Sequence, residues 1–167
     1  MGAGKTTVGA ALARRLGWEF IDLDDIIVEM AARSVPEIFE HEGEARFREY
    51  ETAALREVLE QRLRRKPTIV ALGGGAFVQT QNLDLLRASE QPTVFLDADL
   101  LELRKRCSAQ GETRPLFRDE NQFRQLYESR RSGYMKADLR VDTAGKAVVE
   151  IVNEVLSRLD LHDDLSE

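Results

Sequence analysis

The feature that most constrains this chain is its opening segment, residues 2–7 (GAGKTT), which runs directly into an apolar helical pattern. Small residues ahead of a lysine and a threonine let backbone N–H groups wrap around phosphates, and the N-terminus of the following helix adds partial positive charge. In such a loop Lys5 reaches the β- and γ-phosphates and the Thr6 hydroxyl is a ligand of Mg²⁺. The alternative is an ordinary helix start capped by a threonine. The amphipathic helix and the acidic strand ends downstream favour nucleotide binding.

The complete pattern has one more glycine, preceded by an apolar strand, and both would lie upstream of Met1. We therefore expect a start codon placed too late, or a trimmed version of a longer chain. The alternative is that the protein begins at Met1. The neighbours of a missing central strand would keep unpaired N–H and C=O groups, each costing about 1–3 kcal/mol when buried. We accordingly expect the chain from Met1 to fold poorly unless roughly ten residues precede it.

The rest of the chain alternates short apolar or β-branched runs with amphipathic helical segments. This alternation predicts an α/β fold in which a parallel sheet carries helices on both faces. Strands are predicted at 18–23, 68–72, 93–96 and 139–141. A long helix follows Gly43, and its apolar stripe runs from Phe47 to Leu59. In such sheets ligands bind beyond the carboxyl ends of the strands.

Composition narrows the class of protein further. The 167 residues suit a single domain, and a formal net charge of -6 argues against nucleic acid or an anionic membrane as the main partner. The single cysteine, Cys107, excludes an internal disulfide and suits a reducing cytoplasm. No apolar run approaches the length of a membrane span. We expect a cytoplasmic monomer that binds small molecules.

Two segments at the carboxyl ends of predicted strands carry candidate ligand-binding groups. The first is Asp22-Leu23-Asp24, where an aspartate could equally be a helix N-cap. The second is the triplet Gly73–Gly75, which follows the second predicted strand. Residues without side chains allow a ligand to approach backbone N–H groups closely. A turn that needs a positive φ angle would also select glycine.

Arginines are further candidates, because a planar guanidinium can bind a carboxylate or phosphate through two hydrogen bonds. Arg48 and Glu51 lie three residues apart on the predicted long helix, so Glu51 can hold the guanidinium. A plain surface ion pair is the alternative. Arg114 lies in a polar stretch between two predicted helices, and Arg130 and Arg131 lie on the second of these.

In this order and at these distances, the motifs resemble the shikimate kinase family over almost the whole chain. Besides the opening loop and the two aspartates, the resemblance rests on four segments: Gly43-Glu44-x-x-Phe47-Arg48-x-x-Glu51, Gly73-Gly74-Gly75-Ala76, Thr113-Arg114-Pro115-Leu116 and Leu126-x-x-x-Arg130-x-x-x-Tyr134. It implies a three-layer P-loop kinase fold with five parallel strands, of which the N-terminal central one is absent from this chain. It also implies one domain over 1–167, substrate-binding helices at 33–61 and a lid at 108–120.

In that family the γ-phosphate of ATP moves to the 3-hydroxyl of shikimate, with Mg²⁺ as cofactor, in aromatic amino-acid biosynthesis. The resemblance implies that Asp22 helps to hold Mg²⁺ and that Asp24 orients the reacting hydroxyl. It also implies that Arg48 and Arg130 bind the substrate carboxylate, with Arg131 as the alternative to Arg130. Arg114, on the lid, would close over the phosphates.

The candidate site residues form overlapping sets. The catalytic set is Lys5, Asp24 and Arg114. The ATP-binding set is Gly2, Ala3, Gly4, Lys5, Thr6, Thr7, Arg106 and Arg114. The substrate-binding set is Asp24, Arg48, Gly73, Gly74, Gly75 and Arg130. The metal-binding set is Thr6 and Asp22. Arg106 is the nearest match to an arginine that stacks on adenine in the family, although Cys107 occupies the strictly aligned place.

Two other functions stay open at this point. A related small-molecule kinase, such as a gluconate kinase, shares the fold, but it needs no pair of arginines and glycine triplet for a ring carboxylate. A non-catalytic relative of the family is the second alternative. Against it, every charged candidate residue of the site is present in this chain.

Overall fold

The computed structural model describes residues 2–109 and 120–162. These form two compact units, one of residues 9–91 and the other of residues 2–8, 92–109 and 120–162. Helix α1 (Lys5–Leu16) contains the boundary between them. The prediction of one domain over residues 1–167 stays a prediction.

The unit of residues 9–91 is built on a parallel pair of strands. Strand β1 (Glu19–Asp22) pairs with β2 (Thr68–Ala71), and Asp22 lies beside Ala71 in the register. The elements between and after them are α2 (Leu23–Ala31), α3 (Val35–His41), α4 (Gly43–Glu57), a π-helical turn (Val58–Arg62), a 3₁₀ turn (Ala76–Val78) and α5 (Thr80–Ala88). Because the strands are parallel, the acidic segment after β1 and the glycine triplet after β2 emerge at the same edge.

Apolar side chains of α2, α3, α4 and the π-helical turn form the core of this unit. Leu23, Ile27, Ile38, Ala54 and Val58 are all 0% exposed and belong to one cluster. Burying a side chain the size of leucine or isoleucine stabilises a fold by roughly 1.5–3 kcal/mol. The core therefore fixes α2 and α4 against each other, and with them the polar residues that these two helices carry.

Helix α1 approaches the strand pair closely at Gly9. A Cβ atom built on Gly9 would lie 2.7 Å from Cε2 of Phe20 and 3.6 Å from Cγ2 of Ile69. No ordinary side chain tolerates the first of these distances, so only glycine allows the helix to pack at this depth.

The other unit holds a second parallel strand pair. Strand β3 (Val94–Asp97) pairs with β4 (Leu139–Asp142), and Asp97 lies beside Asp142. The helices of this unit are α6 (Leu100–Ala109), α7 (Glu120–Tyr134) and α8 (Val148–Arg158). Helix α8 turns a buried apolar face inward, formed by Ile151, Val152, Val155 and Leu156, with the spacing of an amphipathic helix.

The predicted α/β alternation with parallel strands is confirmed. Within the described residues the strands number four, hydrogen-bonded in two separate pairs. Leu23 was predicted as the end of a strand, but it is the first residue of α2. The Asp22 carboxylate accepts a hydrogen bond from the Asp24 N–H and so starts the helix earlier than the hydrophobic pattern indicates. No helix in the described ranges is long and apolar enough to cross a membrane.

Candidate active site

The opening loop leads into the N-terminus of α1. Gly2 and Gly4 have φ angles of 63° and 81°, in the left-handed region that favours glycine. The Val8 N–H donates to the Gly4 carbonyl at 2.8 Å, and the first turn of α1 has no acidic residue. A helix N-terminus attracts phosphate because its N–H groups and partial positive charge point toward the anion. This end of α1 therefore suits a phosphate chain, with Lys5 and Thr6 in its first turn.

The two aspartates after β1 have different local roles. Asp22 is the N-cap of α2: its Oδ1 accepts a hydrogen bond from the Asp24 N–H at 3.2 Å. Asp24 lies in the first turn of the helix and is half-buried. A carboxylate in that turn is stabilised by the helix dipole. The cap that the sequence left open as an alternative is therefore present, at Asp22.

Gly73 is the point where α2, α4 and the glycine triplet meet. A Cβ atom built on Gly73 would lie 3.1 Å from Oε1 of Glu51 and 3.3 Å from Oδ1 of Asp24. Positive φ angles in the described residues occur at glycines outside the triplet and at three other residues, so the triplet is not a left-handed turn. A methyl group at position 73 would therefore force one of these two carboxylates to shift by a few tenths of an ångström.

Arg48 is held by two carboxylates of its own helix. Its Nη1 donates to Oε2 of Glu51 at 2.8 Å, while Nη2 and Nε donate to Oε1 of Glu44 at 2.9 and 3.3 Å. The Glu51 side chain is 1% exposed and that of Glu44 is 67% exposed. The Arg48–Glu51 pair, which the sequence left open as a plain surface contact, therefore involves a buried carboxylate. Glu44 is a second, solvated partner of the same arginine.

The environment keeps Arg48 charged. Burial acts to lower the pKa of Arg48, but the hydrogen bonds and charges of Glu51 and Glu44 outweigh it, so that the pKa lies above its ordinary value. A permanently charged fork that is partly shielded from water is a strong site for a planar carboxylate.

Gly75 allows this guanidinium to lie where it does. A Cβ atom on Gly75 would overlap Nη1 of Arg48 and would lie 2.7 Å from its Cζ. The φ angle of Gly75 is −86°, which any residue can adopt, so the requirement for glycine here is steric. The guanidinium is thus packed directly onto the backbone of the triplet.

Gln79 is a member of this cluster that the sequence analysis missed. Its Nε2 donates to Oε2 of Glu51 at 2.5 Å. Gln79 lies just before α5, 28 residues after Glu51. Glutamine at a helix start carries no spacing signal that would connect it with a residue on another helix.

The other unit has its own buried carboxylate, Asp97, at the end of β3. It is 3% exposed and accepts hydrogen bonds from Nη2 of Arg131 at 2.9 Å and from Nε of Arg140 at 2.8 Å. Arg131 also donates to the hydroxyl of Tyr127 at 3.1 Å, which in turn donates to the Ala98 carbonyl at 3.2 Å. Asp97 was not predicted, although an aspartate that ends an apolar strand repeats the pattern of Asp22.

Arg130 and Arg131 are adjacent on α7 but have different surroundings. Arg131 is bound to Asp97, as described. Arg130 lines a pocket together with Ala3 of the opening loop, Asp97 and Tyr127. The structure thus separates two arginines that the sequence could rank only by motif register.

Arg106 ties α6 to the end of β4. Its Nε donates to Glu102 at 2.8 Å, and its Nη1 and Nη2 donate to the hydroxyl and carbonyl of Thr143 at 3.1 and 2.7 Å. Thr143 is fully buried. The guanidinium of Arg106, the candidate for adenine binding, therefore lies at the segment after β4. The predicted lid at 108–120, with Arg114, lies for the most part outside the described residues, and Arg114 wholly so.

Lys5 follows a glycine-rich loop and lies at the N-terminus of a helix, within an α/β fold of parallel strands. This combination defines the class of P-loop nucleotide-binding proteins. In the same chain the Arg48 guanidinium packs against the backbone of the glycine triplet. Comparison with known proteins specifies the family. A family model described as shikimate kinase matches residues 1–160.

Individual relatives agree with that match. A shikimate kinase of Geobacter sulfurreducens is 46% identical over 158 residues, covering 93% of this chain and 84% of the relative. One of Enterococcus faecalis is 39% identical, covering 95% of this chain and 94% of the relative. The solved shikimate kinase of Acinetobacter baumannii in complex with shikimate has a TM-score of 0.84 and 35% identity, covering 95% of this chain and 88% of that one. The Aquifex aeolicus structure has a TM-score of 0.82 and 34% identity, covering 96% and 92%. The chain belongs to the shikimate kinase family.

Proposed function

We propose that this protein transfers the γ-phosphate of ATP to the 3-hydroxyl of shikimate, giving shikimate 3-phosphate and ADP. The observation that carries the proposal is the Arg48 fork, anchored by the buried Glu51 and packed onto the glycine triplet. It provides a carboxylate site of the kind that a cyclic acid requires, in a chain of a family named for that activity.

The acid would bind to Arg48 by replacing Glu44. An exposed i,i+4 pair such as Arg48–Glu44 is worth about 0.3–0.5 kcal/mol, so its displacement costs little. The contact with Glu51 would persist and keep the guanidinium in place. We also propose Arg130 as the second carboxylate-binding arginine, because Arg131 is already held by Asp97 and Tyr127.

Phosphoryl transfer leaves little covalent work to the protein, so positioning and charge carry the catalysis. The bond between the γ-phosphorus and the β,γ-bridging oxygen breaks as the 3-hydroxyl oxygen bonds to phosphorus, and the hydroxyl proton is taken up by a base. We assign that base, or at least the orienting group, to Asp24. Lys5 and Arg114 would stabilise charge on the transferred group, and the loop of Gly2–Thr7 would hold the remaining phosphates.

Magnesium prefers oxygen ligands and retains several waters, so few protein ligands are needed. Thr6 offers a hydroxyl and Asp22 a carboxylate, and we propose these two as its protein ligands. When bound, the ion neutralises charge at the phosphates.

We propose that Arg106 contacts adenine, because its guanidinium lies beside Thr143 at the end of β4. We further propose that the protein is a monomer in the cytoplasm, a compartment that suits its single cysteine.

The proposed function is tested by comparing two acids as phosphate acceptors. With ATP and Mg²⁺, the protein should phosphorylate shikimate and leave gluconate unchanged, because the arginine fork and the glycine triplet fit a ring-borne carboxylate. ADP release measured with each acid under the same conditions decides this. Equal rates, or a preference for gluconate, would overturn the assignment.

Gly75→Ala should raise the KM for shikimate by roughly 10-fold, since the new methyl group displaces the Arg48 guanidinium and weakens hydrogen bonds between charged groups. The φ angle of Gly75 suits alanine, so the thermal midpoint should change little. Steady-state kinetics with shikimate as the varied substrate, together with a thermal melt, test this. A KM that stays at the wild-type value would show that the guanidinium can move without cost.

A further inference from the structure

Gln79 and Arg48 bind the same oxygen of one buried carboxylate. Oε2 of Glu51 accepts a hydrogen bond from Nε2 of Gln79 at 2.5 Å and one from Nη1 of Arg48 at 2.8 Å. The Glu51 side chain is 1% exposed, so both hydrogen bonds are shielded from water. Shielding strengthens each bond and raises the cost of losing either donor.

The backbone connects Gln79 to the glycine triplet through one short turn. The Ala76 N–H donates to the Gly73 carbonyl at 3.1 Å, and the Val78 N–H donates to the Gly75 carbonyl at 3.3 Å. Gln79 follows directly, in extended conformation (φ −79°, ψ 128°), as the residue before α5. Its side chain thus reaches from the end of the triplet segment to the Glu51 carboxylate on α4.

We propose that Gln79 is a positioning residue for the substrate carboxylate. It acts through Glu51: the Gln79 amide fixes the carboxylate, and the carboxylate fixes the Arg48 fork against Gly75. The inference rests on the proposed function, because the ligand of Arg48 is taken to be the acid that is phosphorylated. It adds a residue outside the family motifs quoted above, and it predicts that the glycine segment and α4 set the affinity for the acid jointly.

The first test compares Gln79→Ala with Gln81→Ala. Gln81 is exposed, in the first turn of α5, and serves as the matched control. Gln79→Ala should raise the KM for shikimate by about 10-fold or more, the effect of losing a hydrogen bond to a charged group. The kcat and the KM for ATP should stay near those of Gln81→Ala, while the thermal midpoint should fall, because the buried Glu51 carboxylate loses a hydrogen bond. A parallel loss of kcat and of ATP affinity would assign Gln79 a general structural role and overturn the inference.

The second test is Gln79→Glu, whose effect should depend on pH. The charged groups that face this position are Glu51 and Arg48, with Glu44 on the far side of Arg48 and Asp24 across Gly73. Two carboxylates at hydrogen-bond distance share a proton, and burial raises the pKa of such a pair. The protonated residue 79 donates to Glu51 as glutamine does. Once deprotonated, it repels Glu51 and competes for Arg48.

Burial and the second carboxylate raise the pKa of the pair, while the Arg48 guanidinium acts in the opposite direction. The ratio of the shikimate KM of Gln79→Glu to that of wild type should therefore rise with pH, by about 10-fold or more across the profile, as residue 79 loses its proton. A ratio that is flat with pH, with Gln79→Ala indistinguishable from Gln81→Ala, overturns the inference and leaves the function intact. A wild-type protein that fails to phosphorylate shikimate overturns the function, and the inference with it.

Discussion

Replacing Arg48 with alanine should lower kcat/KM for shikimate by about 100-fold or more, mainly through KM. Truncating one partner of a buried, hydrogen-bonded charge pair costs about 2–5 kcal/mol, and each 1.4 kcal/mol is a factor of ten. The change removes the fork for the acid and leaves the Glu51 carboxylate with the Gln79 amide. Steady-state kinetics with shikimate varied at saturating ATP measure the effect.

Two further variants make the Arg48 result specific. Arg46 lies two positions earlier on α4, and its side chain is 49% exposed and paired with Glu42 and Glu49. The Arg46→Ala variant should therefore have the same kcat/KM for shikimate as wild type. Arg48→Lys keeps a positive charge beside Glu51 but cannot bind a carboxylate through two parallel hydrogen bonds, so it should lie between wild type and Arg48→Ala. A folded Arg48→Ala protein with unchanged KM would remove Arg48 from the acid site.

Asp24→Asn should lower kcat by about 100-fold or more, which is the usual scale for a positioned acid–base group. Asparagine keeps the shape of the side chain and leaves the hydrogen bond from the residue-24 N–H to Asp22 intact, so α2 should still begin at the same place. The affinity for ATP should be nearly unchanged, because the proposed role concerns the hydroxyl of the acceptor. Single-turnover assays and nucleotide titration separate the two effects.

Asp25→Asn is the matched control, since Asp25 is the next residue of α2 and is exposed. Both aspartates lie in the first turn of the helix and both interact with its dipole. If the two variants had equal activity, Asp24 would only stabilise the helix and would not be the proposed base. A large loss of turnover confined to Asp24→Asn would support the proposed base.

The elements and the family could be predicted from this sequence because their patterns are local. An apolar run, a helical stripe and a glycine triplet each lie within a few residues of chain, and parallel strands bring their carboxyl ends to one edge. The start of α2 could not be placed, because Leu23 is apolar in either element. The decision depends on one hydrogen bond, from the Asp24 N–H to Asp22.

The partners within the site were harder to predict, because they join residues distant in sequence. Gln79 meets Glu51 across 28 residues, and Arg131 meets Asp97 across 34. Such contacts depend on how helices pack, which the spacing of polar residues on one helix does not show. The choice between Arg130 and Arg131 is an example: neighbours on a helix point about 100° apart, and the Asp97 contact shows which of them is already bound.

Under the proposed function, the contact between Arg48 and Glu44 would make acid binding an exchange of one anion for another. Glu44 is a tethered competitor, present at the high effective concentration of an intramolecular group, so a dilute monodentate anion gains little by approaching the fork. A rigid planar acid that forms two parallel hydrogen bonds has the advantage needed to replace it. Because added salt screens the exposed Arg48–Glu44 pair as well as the incoming acid, the two effects oppose each other. The affinity for the acid should accordingly vary little with ionic strength, and common cellular anions should inhibit the site only weakly.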